Sequence, residues 1–190
     1  MKKNGFTLVE ILAVIIIIGI IMTIAIPAVS KYILSSDRAV YSSDVTAYIE
    51  TVRAEYGMKE YGDLLKDDEI MIVPIEYVEL EKGDLKSPFA DYDLDRSYIV
   101  IVPYKNGYQY YANVVDNQKI GIVMKTQQEL SKEVVEDDVK NKIESYKTYL
   151  YDRTKKFVVN EKTYTQCDIR DINTHEKNYE NAIIVLCSDD

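Results

Sequence analysis

Between Phe6 and Val29 the chain reads FTLVEILAVIIIIGIIMTIAIPAV and carries a single charge, Glu10. As an α-helix this run would be about 36 Å long, more than the ~30 Å hydrocarbon core of a bilayer. No second run like it occurs from Ser30 to Asp190, where the sequence is strongly polar. The predicted organisation is one N-terminal membrane segment followed by one water-facing domain, which suits a length of 190 residues.

Composition narrows the functional classes. With 23 Lys plus Arg against 32 Asp plus Glu, the formal net charge is -9. Nucleic-acid affinity rests on clustered cations that displace counterions, so an acidic chain disfavours direct contact with nucleic acid. One His excludes a two-histidine metal site, and 2 Cys exclude a four-cysteine zinc site. No Gly-rich phosphate loop and no G-x-S-x-G nucleophile motif is present. The only His, His175, lies in a polar segment and reads as a surface residue. Nothing argues for catalysis or a cofactor. Asp91, Asp93 and Asp95 begin like a calcium loop. Arg96 stands where an EF-hand needs Gly, and Val102 stands where it needs Glu, so that reading fails. The acidic run 91–95 leaves two readings, a solvated loop or a looser calcium site, because oxygen ligands need no strict spacing.

Three readings compete for the apolar run. Lys2 and Lys3 followed by apolar residues, with Ala28-Val29-Ser30 as a small-x-small site, fit a cleaved secretory signal. An uncleaved anchor fits as well. The third reading is a leader cut before the apolar run. Glu10 separates them: an ionisable group inside a membrane segment is costly and by default functional, and a plain signal or anchor has no use for it.

The string Gly5-Phe6-Thr7-Leu8-Val9-Glu10 resembles the processing site of type IV pilins and pseudopilins. That resemblance implies cleavage by a prepilin peptidase between Gly5 and Phe6, with Phe6 as the N-methylated residue. The short basic leader 1–5 agrees with it, and Glu10 becomes the fifth residue of the trimmed chain, where the family keeps its Glu. Gly19 and Pro27 fall where many pilins carry helix-loosening residues. The likeness covers about the first 55 residues. Cleavage would expose a positive amine at Phe6, which Glu10 of an adjacent, staggered subunit can neutralise. Buried charge is tolerated when paired, so the unpaired state in the membrane would drive entry into a filament. The bland alternative is that Glu10 merely snorkels to the headgroups.

The helical pattern continues past the apolar run. Ile33, Val40, Tyr41, Val45, Tyr48, Ile49, Val52 and Tyr56 recur at helical spacing and form one apolar stripe. A helix from Phe6 to Tyr56, ended by Gly57, would be about 77 Å long. Pro27 should kink or locally melt it near Ala25–Pro27, and Gly19 should weaken it. The predicted segments are a leader 1–5, a transmembrane and assembly helix 6–29, its amphipathic continuation 30–57, and a globular α+β head 58–190.

In the head, strands are expected at Ile70–Val73, Glu76–Glu81, Ser97–Val102, Tyr108–Val115, Ile120–Met124, Phe157–Thr165 and Ala182–Cys187, with hairpin chemistry at Lys105-Asn106-Gly107. Thr126–Tyr151 reads as mostly helical. It lacks Gly and Pro, and Leu130, Val134, Val135, Val139, Ile143, Tyr146 and Leu150 give it an apolar face. The fold class is therefore α+β, a long N-terminal helix packed on a small antiparallel sheet. The 17 Tyr include Tyr108, Tyr110 and Tyr111, which fit half-buried strand packing better than base stacking. Cys167 and Cys187 resemble the C-terminal disulfide pair of many pilins, and an extracellular head would favour the bond. Two unpaired buried thiols are the alternative.

The resemblance implies a structural subunit of a type IV pilus-like filament, made as a membrane precursor with its head outside. Its implied partners are other subunits, the prepilin peptidase and methyltransferase, an assembly ATPase and a platform membrane protein. The alternatives are a pseudopilin of a type II secretion or DNA-uptake system, and a membrane-anchored binding module that never polymerises.

Overall fold

The computed structural model describes residues 7–56, 65–78, 86–105, 107–171 and 182–189. By compactness the chain divides into Met1–Asp37 and Arg38–Asp190. The helix α1 spans Leu8–Tyr56 and stays helical across Gly19 and Pro27, so the chain does not melt near Ala25–Pro27. Gly57, the expected stop, lies outside the described residues.

In Arg38–Asp190 the sheet has seven strands, all antiparallel. They are β1 (Glu69–Pro74), β2 (Tyr98–Tyr104), β3 (Gly107–Val115), β4 (Gly121–Thr126), β5 (Phe157–Val159), β6 (Lys162–Asp171) and β7 (Ala182–Ser188), ordered β4-β3-β2-β1-β7-β6-β5. The α+β expectation is met: the later part of α1 packs on this sheet. Tyr41, Val45, Tyr48, Ile49 and Val52 are all buried, at spacings that place them on one side of the helix. They join Met71, Val73, Ile99, Ile101, Ala112 and Val114 in one apolar cluster. Tyr41 reaches through it and its hydroxyl donates to the carbonyls of Val114 and Ile120, both at 3.2 Å. Ile33 and Val40, assigned to the same stripe by spacing, are about half exposed within the chain.

Alternate residues of the central strands face the other way. Ile70, Ile72, Tyr98, Val100, Ile184 and Leu186 belong to a second cluster on the opposite face. This explains why Ile70–Val73 is an unbroken apolar run: a strand buried on both faces has no polar side.

The second cluster is roofed by the segment predicted to be a helix, and that prediction is wrong. Thr126–Tyr151 contains three 3-10 turns, Gln127–Glu129, Lys132–Val134 and Lys140–Lys142, and one short helix, α2 (Tyr146–Tyr151). The apolar residues assigned to its face are buried or half-buried, but they do not share one face. Leu130, Val134 and Val135 pack in the first cluster, whereas Val139, Ile143, Tyr146 and Leu150 pack in the second. A helix would hold them on one stripe, so the chain extends and crosses from one sheet face to the other past the β4 edge. At the crossing, the backbones of Gly121 and Glu136 exchange hydrogen bonds of 2.9 and 2.8 Å. Asp138 turns there at φ 56. Gly121 is obligatory, because a Cβ would lie 2.7 Å from Val139 Cγ2 and 2.9 Å from Val115 Cα.

Three smaller expectations need correction. Ile75–Tyr77 is a 3-10 turn instead of the start of a strand; Glu76 is held there by a hydrogen bond from the Tyr146 hydroxyl, and 79–81 lie outside the described residues. Phe157–Thr165 is two strands, because Asn160 and Glu161 both take positive φ, 50° and 64°, and close a hairpin. At the β2–β3 hairpin Tyr104 pairs with Gly107 and Lys105 sits at φ 53, so Gly107 opens the return strand; Asn106 lies outside the described residues.

Cys167 and Cys187 are bonded, with Cα atoms 5.7 Å apart. The β6–β7 register shifts between Gln166 and Asp168, so Cys167 is the extra residue of a bulge. The bond joins neighbouring strands and closes a loop of sequence separation 20.

Candidate assembly segment

Thr7 and Glu10 open α1 as a reciprocal cap. The backbone N–H and the hydroxyl of Thr7 both donate to Glu10 Oε2 at 2.8 Å, and the Glu10 N–H donates to Thr7 Oγ1 at 3.4 Å. This is the T-x-x-E capping box, which satisfies N–H groups that a helix start otherwise leaves without partners. The pattern is visible in the sequence as Thr7-Leu8-Val9-Glu10, although a cap was not among the roles expected of Glu10, which were pairing with a neighbour's amine or snorkelling to the headgroups. Both side-chain bonds fall on Oε2, and Oε1 accepts from no described residue. Gly5 and Phe6 lie outside the described residues.

From Leu8 to Val29 the large apolar side chains are 44% to 81% exposed within the chain. The segment is long and apolar enough to cross a membrane, with a mean hydropathy of 3.0 over its best window. A surface of this size and continuity is unstable in water and needs lipid or other protein around it. Gly19 would meet nothing within 4 Å if it carried a Cβ, so no packing within the chain requires it. Pro27 has no N–H to donate to the turn below it. On either side, Thr23 donates to the Ile20 carbonyl at 2.7 Å and Ser30 to the Ile26 carbonyl at 3.0 Å. Such back-bonds replace lost backbone partners in a membrane and favour slight bending.

The candidates set aside on sequence grounds also have places. Asp93 accepts from Lys140 at 2.7 Å and from Arg96 at 3.4 Å, and Asp95 from Lys147 at 2.5 Å, so these carboxylates face protein cations. Tyr110 and Tyr111 are buried strand residues, as packing required, and the Tyr111 hydroxyl donates to Gln109 and Asn160 at 2.9 Å each. His175 lies outside the described residues.

Residues 1–26 match the family described as "Prokaryotic N-terminal methylation motif". The N-terminus is a type IV prepilin signature. It supports a pilin-like, prepilin-processed protein; proteins that carry this motif are in general structural, and polymerise after processing by a prepilin peptidase. The signature and the apolar helix together support membrane anchoring and a surface or envelope filament. No curated protein and no solved structure matches the chain.

Proposed function

We propose that this pilin-like chain is a structural subunit of a type IV pilus-like filament and not an enzyme. It enters the cytoplasmic membrane as a single-pass precursor with its head outside. The prepilin peptidase cuts it after Gly5, and Phe6 is methylated. The 6–29 helices then bundle in the filament core, driven by an assembly ATPase and a platform membrane protein. The observation that carries this reading is the apolar surface of Leu8–Val29, exposed on all sides within the chain, with one carboxylate at its start. A hydrophobic anchor alone needs no such group.

Glu10 serves two partners in this scheme. Oε2 caps its own helix through Thr7, and Oε1 meets the Phe6 amine of a neighbour. Gly19 and Pro27 loosen the helix, so that it can extend under load in the filament. Mass spectrometry of the mature N-terminus tests the processing step: methylated Phe6 is expected, whereas an intact Met1 or a start at Lys31 overturns it. Glu10→Ala should leave membrane insertion intact and reduce assembly. Imaging cells that lack the protein decides its rank, since loss of long fibres marks a major subunit and unchanged fibres a pseudopilin or minor subunit.

A further inference from the structure

A cavity of about 350 Å³ opens beside the β2–β3 hairpin, wholly within Arg38–Asp190. Arg53 of α1, Tyr104 of β2, Tyr108 and Tyr110 of β3, and Thr126 and Gln127 at the end of β4 line it. Three tyrosines, glutamine amides, a hydroxyl and a guanidinium come together from three separate stretches of sequence. The volume is at the small end of the range for ligand sites, roughly 300–1,000 Å³.

The polar groups are pre-arranged. The Arg53 guanidinium lies 5.0 Å from the centre of the Tyr110 ring and donates to Gln127 Oε1 at 2.6 Å. Gln127 Nε2 in turn donates to Glu50 Oε1 at 3.1 Å. Carboxylate, amide and guanidinium thus form a chain that offers both donors and acceptors at the cavity wall. The second nearby cation, Lys105, sits with Nζ 5.0 Å from the centre of the Tyr104 ring. Both cations are therefore engaged with aromatic faces, and Glu50 balances Arg53 through Gln127. The Tyr104 ring remains 49% exposed, a large apolar plate at the end of a strand.

We propose that this cavity binds a neutral saccharide of one or two rings. A sugar ring has an apolar C–H face that stacks on a tyrosine, and hydroxyls that each donate and accept. The site offers an exposed ring next to a mixed donor and acceptor network, which is the matching chemistry. A polyanion is the poorer fit. Single-stranded nucleic acid stacks on aromatics too, but it needs cations in surplus along its backbone, and here the charges are balanced within a chain of net charge -9. The site does not rest on the filament reading, because no residue of the membrane segment contributes to it.

The test uses the full-length protein in phospholipid nanodiscs, which avoids sugar detergents. Saturation-transfer NMR is recorded with lactose, cellobiose, maltose and N,N′-diacetylchitobiose, and separately with a thymidine decanucleotide. At least one disaccharide should receive saturation. Its Kd should rise about tenfold or more in Tyr104→Ala and in Arg53→Lys, which keeps the charge and loses the planar fork. Both residues are exposed, so near-UV circular dichroism of the buried tyrosines should stay unchanged and separate loss of binding from loss of fold. Silence from all four disaccharides overturns the proposal. So does binding that both variants leave unchanged, or a signal from the decanucleotide alone.

Discussion

Two stretches of α1 present large apolar side chains, and these have opposite fates. Tyr41, Val45, Tyr48, Ile49 and Val52 are at most 1% exposed, whereas every large apolar side chain from Leu8 to Val29 is at least 44% exposed. In the later stretch apolar residues alternate with Ser42, Ser43, Asp44 and Thr46, so the helix has one face to bury and the sheet covers it. In the earlier stretch apolar residues surround the helix, and no single face could satisfy them. The later stretch is completed by its own chain. The earlier one is completed only by a bilayer or by other copies, and its sequence commits it to that before any fold is known.

That contrast can be broken by paired substitutions. Tyr48→Ala empties a buried ring site and should destabilise the head by about 4 kcal/mol, while Ile17→Ala should leave head stability unchanged. Urea unfolding of both variants in nanodiscs, followed by near-UV circular dichroism, checks this, and equal losses would abolish the distinction. Gly121→Ala forces a methyl group against Val139 and the β3 backbone and should cost about 3 kcal/mol in the same assay. Replacing Cys167 and Cys187 together by Ser should cost about 3 kcal/mol as well, by the loop-closure argument, without altering membrane insertion.

Alkali should also act on the head alone. Burial pushes the phenols of Tyr48 and Tyr149 up to about 12, and it moves Tyr41, Tyr92 and Tyr98 in the same direction. Below about pH 10 these groups are neutral whether folded or unfolded, so they add no pH dependence. Above that value the unfolded chain releases protons that the folded chain retains, and stability falls as pH rises. Tyrosinate absorbance should therefore appear together with loss of near-UV structure, and a gradual rise with structure intact would contradict it. The smallest effect is expected at the surface. Arg38 donates to both oxygens of Asp137, at 2.9 and 2.8 Å, but Asp137 is largely exposed. Asp137→Ala should cost less than about 1 kcal/mol, and less still at high salt.

The sequence made some features readable and hid others for physical reasons. The unbroken run Ser97–Val102, buried on both faces, and the stripe from Tyr41 to Val52, buried on one, each came out as expected. The spacing of Leu130 to Leu150 was equally regular and misled, because periodicity reports which residues are buried but not which layer they enter. The Asn160–Glu161 turn was hidden because neither residue is Gly, although both occupy positive φ. The prepilin signature was legible because its residues are contiguous. The Tyr104–Arg53 cavity was not, because only the fold brings α1 to the end of the β2–β3 hairpin.

The strap formed by the crossing segment has a further consequence. With Glu136 seated against Gly121, the outer strand of the sheet is partly occupied from within the same molecule. The filament proposed above would crowd many such heads together, conditions under which bare strand edges zip one head to the next. In such an assembly the strap would keep crowding at this edge from becoming cross-linking between heads.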